Sequence, residues 1–191
     1  MNDKNAVTRR GFLETAGLAT GAVAASGAFA HPAIGGVKGA NEKINVAIFG
    51  PGGRAQEHIR ILTRLKEAGK NVEMIALADV WDGTKGVGRG LYPSAEKCKI
   101  NTEDKNRLTK DYRKLLEQKD IDVVLVATPD HWHAKMCIDA MEAGKDVYCE
   151  KPMTHTIDEA RRITETVKKT GQVFTVGVQS TVLGFMSLVS G

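Results

Sequence analysis

The sequence predicts an α/β fold in which a doubly wound parallel sheet carries helices on both faces. Three observations point there. Near-continuous apolar runs at Ile44–Phe49, Val72–Ala78, Ile121–Ala127, Asp146–Cys149 and Val173–Val178 alternate with helical patterns, as expected of parallel strands buried on both faces. A glycine-rich turn follows the first run, and an acid, Asp79, ends the second. The chain of 191 residues is 42% hydrophobic and 26% charged, enough for one good core.

Taken in order, residues 1–30 read as an address and not as fold. Thr8-Arg9-Arg10-Gly11-Phe12-Leu13 resembles a twin-arginine export signal, and an Ala- and Gly-rich stretch after it ends in the cleavage pattern Ala28-Phe29-Ala30. The expectation is passage through the twin-arginine translocase in folded form, to a periplasmic or other extracytoplasmic location. Residues 31–42 are Gly-rich and aperiodic, a linker. The formal charge of +4 is modest, and no basic run is interleaved with aromatics, so nucleic acid is not an expected partner. Cys98, Cys137 and Cys149 lack C-x-x-C spacing and suit small buried hydrophobes better than a disulfide framework.

The turn after the first strand is Gly50-Pro51-Gly52-Gly53-Arg54-Ala55, a G-x-G-x-x-G/A pattern. Gly50 lets the chain turn tightly off the strand. Gly52 lets backbone approach a pyrophosphate, and Ala55 permits close helix packing. The helix Arg54–Ala68 then turns free N–H groups and its positive dipole end toward phosphates. Asp79, at the end of the second strand, is placed to accept hydrogen bonds from ribose hydroxyls. The cofactor so implied is a dinucleotide. A carboxylate there repels a 2′-phosphate, which favours NAD; Lys85 and Arg89 keep NADP as the second choice.

Between Val80 and Thr109 the periodicity lapses, and an extended excursion with one short helix is expected. Asp111 reads as the N-cap of a helix at Tyr112–Gln118. The strand Ile121–Ala127 runs into Thr128-Pro129-Asp130-His131-Trp132-His133, at the carboxyl end of the sheet where ligands bind in open α/β folds. Asp130 is a candidate cap for the helix His131–Ala143. His131 and His133 are open between a packing role and a site role. His133 and Cys137 make an incomplete ligand set with no supporting carboxylates, so no metal site is predicted. Farther on, Pro152 stops a strand that ends in Glu150-Lys151, which aims Lys151 into the same crevice. Desolvation and a neighbouring cation would there let the lysine donate or accept a proton near neutrality. Thr156-x-x-Glu159 is a capping box for the helix Ile157–Thr170, which would bury Ile157, Ala160, Ile163 and Val167.

The glycine turn, Asp79, TPDHWH, EKP and Val176-Gly177-Val178-Gln179 occur in the order and spacing of the glucose–fructose oxidoreductase / inositol dehydrogenase / rhizopine-catabolism (Gfo/Idh/MocA) family. The resemblance covers roughly Lys43 to Gln179. It implies a Rossmann NAD(P)-binding domain over residues 43–179 and hydride transfer between a nicotinamide and a hydroxyl-bearing carbon of a sugar or cyclitol. By resemblance, the 50–55 turn (Gly50, Gly52, Gly53 and Arg54 among it) holds pyrophosphate and Asp79 the adenosine ribose. Thr128, Pro129 and His133 line the cofactor, Glu150 contacts the nicotinamide ribose side, and Gln179 closes the nicotinamide end. Lys151 is the implied catalytic residue, moving the hydroxyl proton. Export in folded form, beyond any nicotinamide pool to exchange with, leads to the expectation of a tightly held cofactor.

Family members continue into a C-terminal domain, whereas residues 180–191 here are apolar, and the expectation is a truncated or aberrant tail with that domain missing. A sheet face left uncovered in this way would favour a homo-oligomer. The competing readings are a nucleotide-binding module without catalysis and an NAD-dependent glycosidase of the same family. An S-adenosylmethionine methyltransferase is disfavoured by EKP and TPDHWH.

Overall fold

The computed structural model describes residues 43–178. Its strands are β1 (Ile44–Phe49), β2 (Val72–Ala78), β3 (Leu108–Thr109), β4 (Val123–Val126), β5 (Asp146–Glu150) and β6 (Phe174–Gly177). They form one sheet in the order β3-β2-β1-β4-β5-β6, with every neighbouring pair parallel. That is the order of a Rossmann sheet, wound in both directions from β1. The helices are α1 (Gly53–Glu67), α2 (Leu91–Cys98), α3 (Arg113–Leu116), α4 (His133–Glu142) and α5 (Ile157–Thr170), with a 3-10 turn at Asp130–Trp132.

Strand alternation builds two cores. Val46 and Ile48 of β1 face α1 and α2, packing with Ala55, Ile59, Leu91 and Ala95. Ala47 and Phe49 face the opposite side, with Leu115, Ala134, Met141 and Ile163. Both faces of the central strands are therefore covered, which is why Val46–Phe49 of β1 and Val123–Val126 of β4 carry no polar positions. Cys98, Cys137 and Cys149 are free and buried within these layers.

Several expectations move. β3 was not expected: only Leu108 and Thr109 pair with β2, opposite Leu77 and Ala78, too short for any period to show. The excursion does contain one helix, α2, whose Leu91, Pro93, Ala95 and Cys98 are buried beneath a polar exterior. The helix expected at Tyr112–Gln118 shrinks to a single turn. α5 keeps its predicted bounds and its capping box, in which Thr156 Oγ1 accepts from the Glu159 N–H and Glu159 from the Thr156 N–H. Ile157, expected inside, is 74% exposed; it sits on the first turn, on the outer side of the stripe that buries Ile163.

Candidate functional site

The carboxyl ends of β1, β2 and β4 enclose a cavity of about 300 Å³, lined in part by Gly50, Gly52, Asp79, Thr128, Pro129 and Trp132. It lies where the winding of the sheet reverses, the crevice in which open α/β sheets take ligands.

Gly50 closes the bottom of this crevice. Its φ is +75°, its N–H donates to the Ala78 carbonyl at 2.8 Å, and a Cβ there would stand 2.7 to 2.8 Å from Cγ2, Cα and N of Thr128. Only glycine lets the ends of β1 and β4 approach so closely. Gly52 is different: a Cβ there would meet nothing nearer than the Gly50 carbonyl oxygen at 3.9 Å. Its main chain is half-buried, with the N–H donating to the Gly50 carbonyl at 2.7 Å, and the space where a Cβ would stand is open to a ligand. Between them the Pro51 carbonyl accepts from the Gly90 N–H (3.0 Å), Gln56 Nε2 (3.0 Å) and Ser94 Oγ (3.3 Å), so the excursion after β2 is docked on the turn.

Gly53 opens α1, whose first turn has no acidic residue and whose N-cap, Gly52, offers no side chain. Arg54 reaches across the sheet, donating from Nε to Glu150 Oε1 at 2.9 Å, and does not line the cavity. Asp79 does line it. Its Oδ1 accepts from the Trp81 N–H at 2.9 Å, and burial pushes its carboxyl above the usual range against backbone hydrogen bonds from Trp81 and Val80.

His133 stands behind the wall formed by Thr128 and Pro129. It is 2% exposed, with Nε2 2.9 Å from the Thr128 carbonyl and Nδ1 2.7 Å from the Pro152 carbonyl. An imidazole donates from both nitrogens only as a cation. Burial opposes that charge, but the adjacent Cys149 and the two carbonyls outweigh it and push His133 up to about 9. His133 thus serves the site through main-chain oxygens, and neither nitrogen is open to a metal. Asp130 does not cap α4: its carboxylate pairs with His155 Nε2 at 2.8 Å and accepts from the His131 N–H at 3.0 Å.

Glu150, at the end of β5, is 3% exposed and held by Arg54 and by His58 of α1. Burial pushes its carboxyl up, yet the hydrogen bonds from His58 and Arg54 prevail and hold it below the usual carboxylate value. It ties the glycine-turn helix to the EKP corner. Glu150→Gln should lower stability by about 1–2 kcal/mol at pH 7. Because the folded carboxyl is held low, this contribution is present above the unfolded value of about 4.3 and fades as pH falls through the folded value. Urea titrations at pH 7 and near pH 3 should show the gap between variant and wild type closing in acid.

Lys151 follows, its N–H donating to Glu150 Oε2 at 3.2 Å and its peptide bond to Pro152 cis. The side chain is exposed, so the desolvation expected of it is not supplied by the described residues. The chain path explains this, since β5 ends at Glu150 and puts the next side chain on the rim. Gln179 lies outside the described residues, as do the export pattern and the segment after it.

Residues 44–178 match the model of the Gfo/Idh/MocA oxidoreductase family, described by its NAD-binding Rossmann fold. The chain belongs to this family. The α-N-acetylgalactosaminidase of Shewanella oneidensis is 32% identical over 178 residues, covering 86% of this chain and 38% of that enzyme. Among solved structures, a levoglucosan dehydrogenase in complex with NADH superposes with a TM-score of 0.59 at 26% identity, over 71% of this chain and 34% of the other. An NAD-binding oxidoreductase from Klebsiella pneumoniae gives 0.58 at the same identity and coverage. The chain thus spans little more than a third of the length of these relatives.

The residues present fit NAD. Gly52 leaves room for the pyrophosphate at an uncapped helix start, and Asp79 faces the cavity from the strand next to it. Sequence reasoning missed His58, Trp132, Tyr112, Arg113 and Met136. His58 was legible in principle, one helical turn after Arg54 on the same face, and Trp132 lay within a motif already singled out.

Proposed function

We propose that this chain is the cofactor-binding portion of an NAD-dependent oxidoreductase that moves a hydride between the nicotinamide and a hydroxyl-bearing carbon of a sugar or cyclitol. The observation that carries it is the convergence of Gly50, Asp79 and Thr128 on one cavity, with Lys151 at the end of the adjacent strand β5. NAD supplies the hydride acceptor. Asp79 fixes the adenosine ribose, Glu150 orients the EKP corner, and Lys151 takes the proton of the hydroxyl as its carbon is oxidised.

The test is calorimetric titration with NAD⁺, followed by absorbance at 340 nm with a panel of sugars and cyclitols. Asp79→Ala should weaken NAD⁺ about tenfold, the loss of one charge-assisted contact. Unchanged binding would remove Asp79 from the ribose. NAD⁺ binding with no turnover on any sugar would identify a nucleotide-binding module without catalysis.

A second reading is supported by the Shewanella relatives, an α-N-acetylgalactosaminidase and family 109 glycosyl hydrolases. In that reading the same site cleaves a glycoside with no net change in the nicotinamide. Release of free sugar from an aryl glycoside, dependent on NAD⁺ but without lasting absorbance at 340 nm, distinguishes it. Export through the twin-arginine translocase belongs to the same proposal, supported by the Thr8–Leu13 pattern, as does self-association into a homo-oligomer.

A further inference from the structure

The loop after β2 is built so that its last side chain, Arg89, stands over the head of α1. Leu91 N–H donates to the Trp81 carbonyl at 3.1 Å and Gly90 N–H to the Pro51 carbonyl at 3.0 Å, while Thr84 and Arg89 pair as an antiparallel bridge. Gly83 and Gly90, both at positive φ, touch main chain to main chain: a Cβ on Gly90 would lie 2.4 Å from the Gly83 Cα. These contacts leave the backbone at Arg89 little freedom. Its Nη1 lies 3.1 Å from the point where a Cβ on Gly53 would be.

Gly53 is the first residue of α1, and the glycine turn beside it is the phosphate-binding element of the NAD site. Other cations nearby are engaged elsewhere. Arg54 is held by Glu150, and Lys97 donates to Gln56 Oε1 and to the Gly88 carbonyl. Arg89 is exposed and has no carboxylate partner among the described residues. A guanidinium beside the positive end of a helix with no acid in its first turn leaves two like charges facing one space. An anion between them would turn that repulsion into two attractions.

We propose that Arg89 is a phosphate-binding residue of this site and pairs with the diphosphate of the bound dinucleotide. The inference rests on the NAD site described above and adds to it a residue from outside the glycine turn. The other phosphate chemistry available, a 2′-phosphate, belongs beside Asp79 at the end of β2. Arg89 reaches the helix start instead. It therefore strengthens NAD and NADP alike and does not choose between them.

The experiment is calorimetric titration of the full chain and its Arg89→Gln and Arg89→Lys variants with NAD⁺, NADP⁺, ADP-ribose and adenosine, at low and high salt. Arg89→Gln should weaken NAD⁺, NADP⁺ and ADP-ribose about tenfold each, with adenosine unchanged and the salt dependence of ADP-ribose reduced. Arg89→Lys, which keeps the charge but loses the planar fork, should recover part of the loss. Three results overturn the proposal: NAD⁺ and ADP-ribose unaffected by Arg89→Gln; a loss confined to NADP⁺, which would assign Arg89 to a 2′-phosphate; or an equal loss for adenosine, which would mean that the loop itself had collapsed. A wild-type chain that binds none of the four ligands would overturn the NAD-site reading as well, and so is separable from a failure of Arg89 alone.

Discussion

Gly50→Ala should unfold the site and destabilise the fold in a single step. The new methyl group would lie 2.7 to 2.8 Å from the backbone and Cγ2 of Thr128, and the φ of +75° is unfavourable for any residue with a Cβ. The obstacle is mostly main chain of the neighbouring strand end, so no side-chain rotation relieves it. Conformational strain and overpacking together should cost about 3 kcal/mol, with NAD⁺ binding lost. Gly52→Ala is the control. Its Cβ meets only one atom, at 3.9 Å, so stability should hold within about 0.5 kcal/mol while NAD⁺ binding weakens. Urea denaturation with parallel titration of NAD⁺ reads both effects. Equal stability losses in the two variants would refute the close approach of β1 and β4 as the reason for Gly50.

Lys151→Ala should do the reverse, leaving the fold and NAD⁺ affinity within about twofold of wild type. The side chain is exposed and, among the described residues, only its main-chain N–H is bonded, to Glu150 Oε2. Hydride transfer from a sugar substrate should fall by about 10²–10⁴-fold, the range for loss of a positioned proton-transfer group. Single-turnover absorbance at 340 nm with saturating NAD⁺ separates the chemical step from binding. A variant that turns over at the wild-type rate would remove Lys151 from the reaction and leave the rest of the cofactor site standing.

The parts legible in the sequence are those where one residue type is demanded by local geometry. Gly50 and Asp79 could be placed because a turn off a strand and a strand-end acid each leave a mark at fixed spacing. The Thr156–Glu159 box was legible for the same reason, since its two hydrogen bonds close within one helical turn. What escaped depends on distance in space. The pairing of Glu150 with Arg54 and His58 joins residues from opposite halves of the fold, and no spacing announces it. β3 was hidden because two residues cannot display a period, and no spacing brings the exposed Arg89 beside Gly53, since the loop docks on Pro51 through the Gly90 N–H. Ile157 shows the opposite error, a residue in phase with the apolar stripe that the first turn leaves in water.

The bonding of His133 has a consequence for how this site can diversify. The ring ties the loops after β4 and β5 together through two carbonyl oxygens, those of Thr128 and Pro152. A carbonyl is common to every amino acid, so the tie constrains the path of the two loops and not the identity of the side chains they display. Positions 131, 132 and 154 can therefore be exchanged while this anchor stays intact, whereas Met153 packs on the core and Asp130 pairs with His155. Scaffold and displayed side chains are separated within a few residues of each other, so under the proposed function these two loops are the place to alter substrate choice by design.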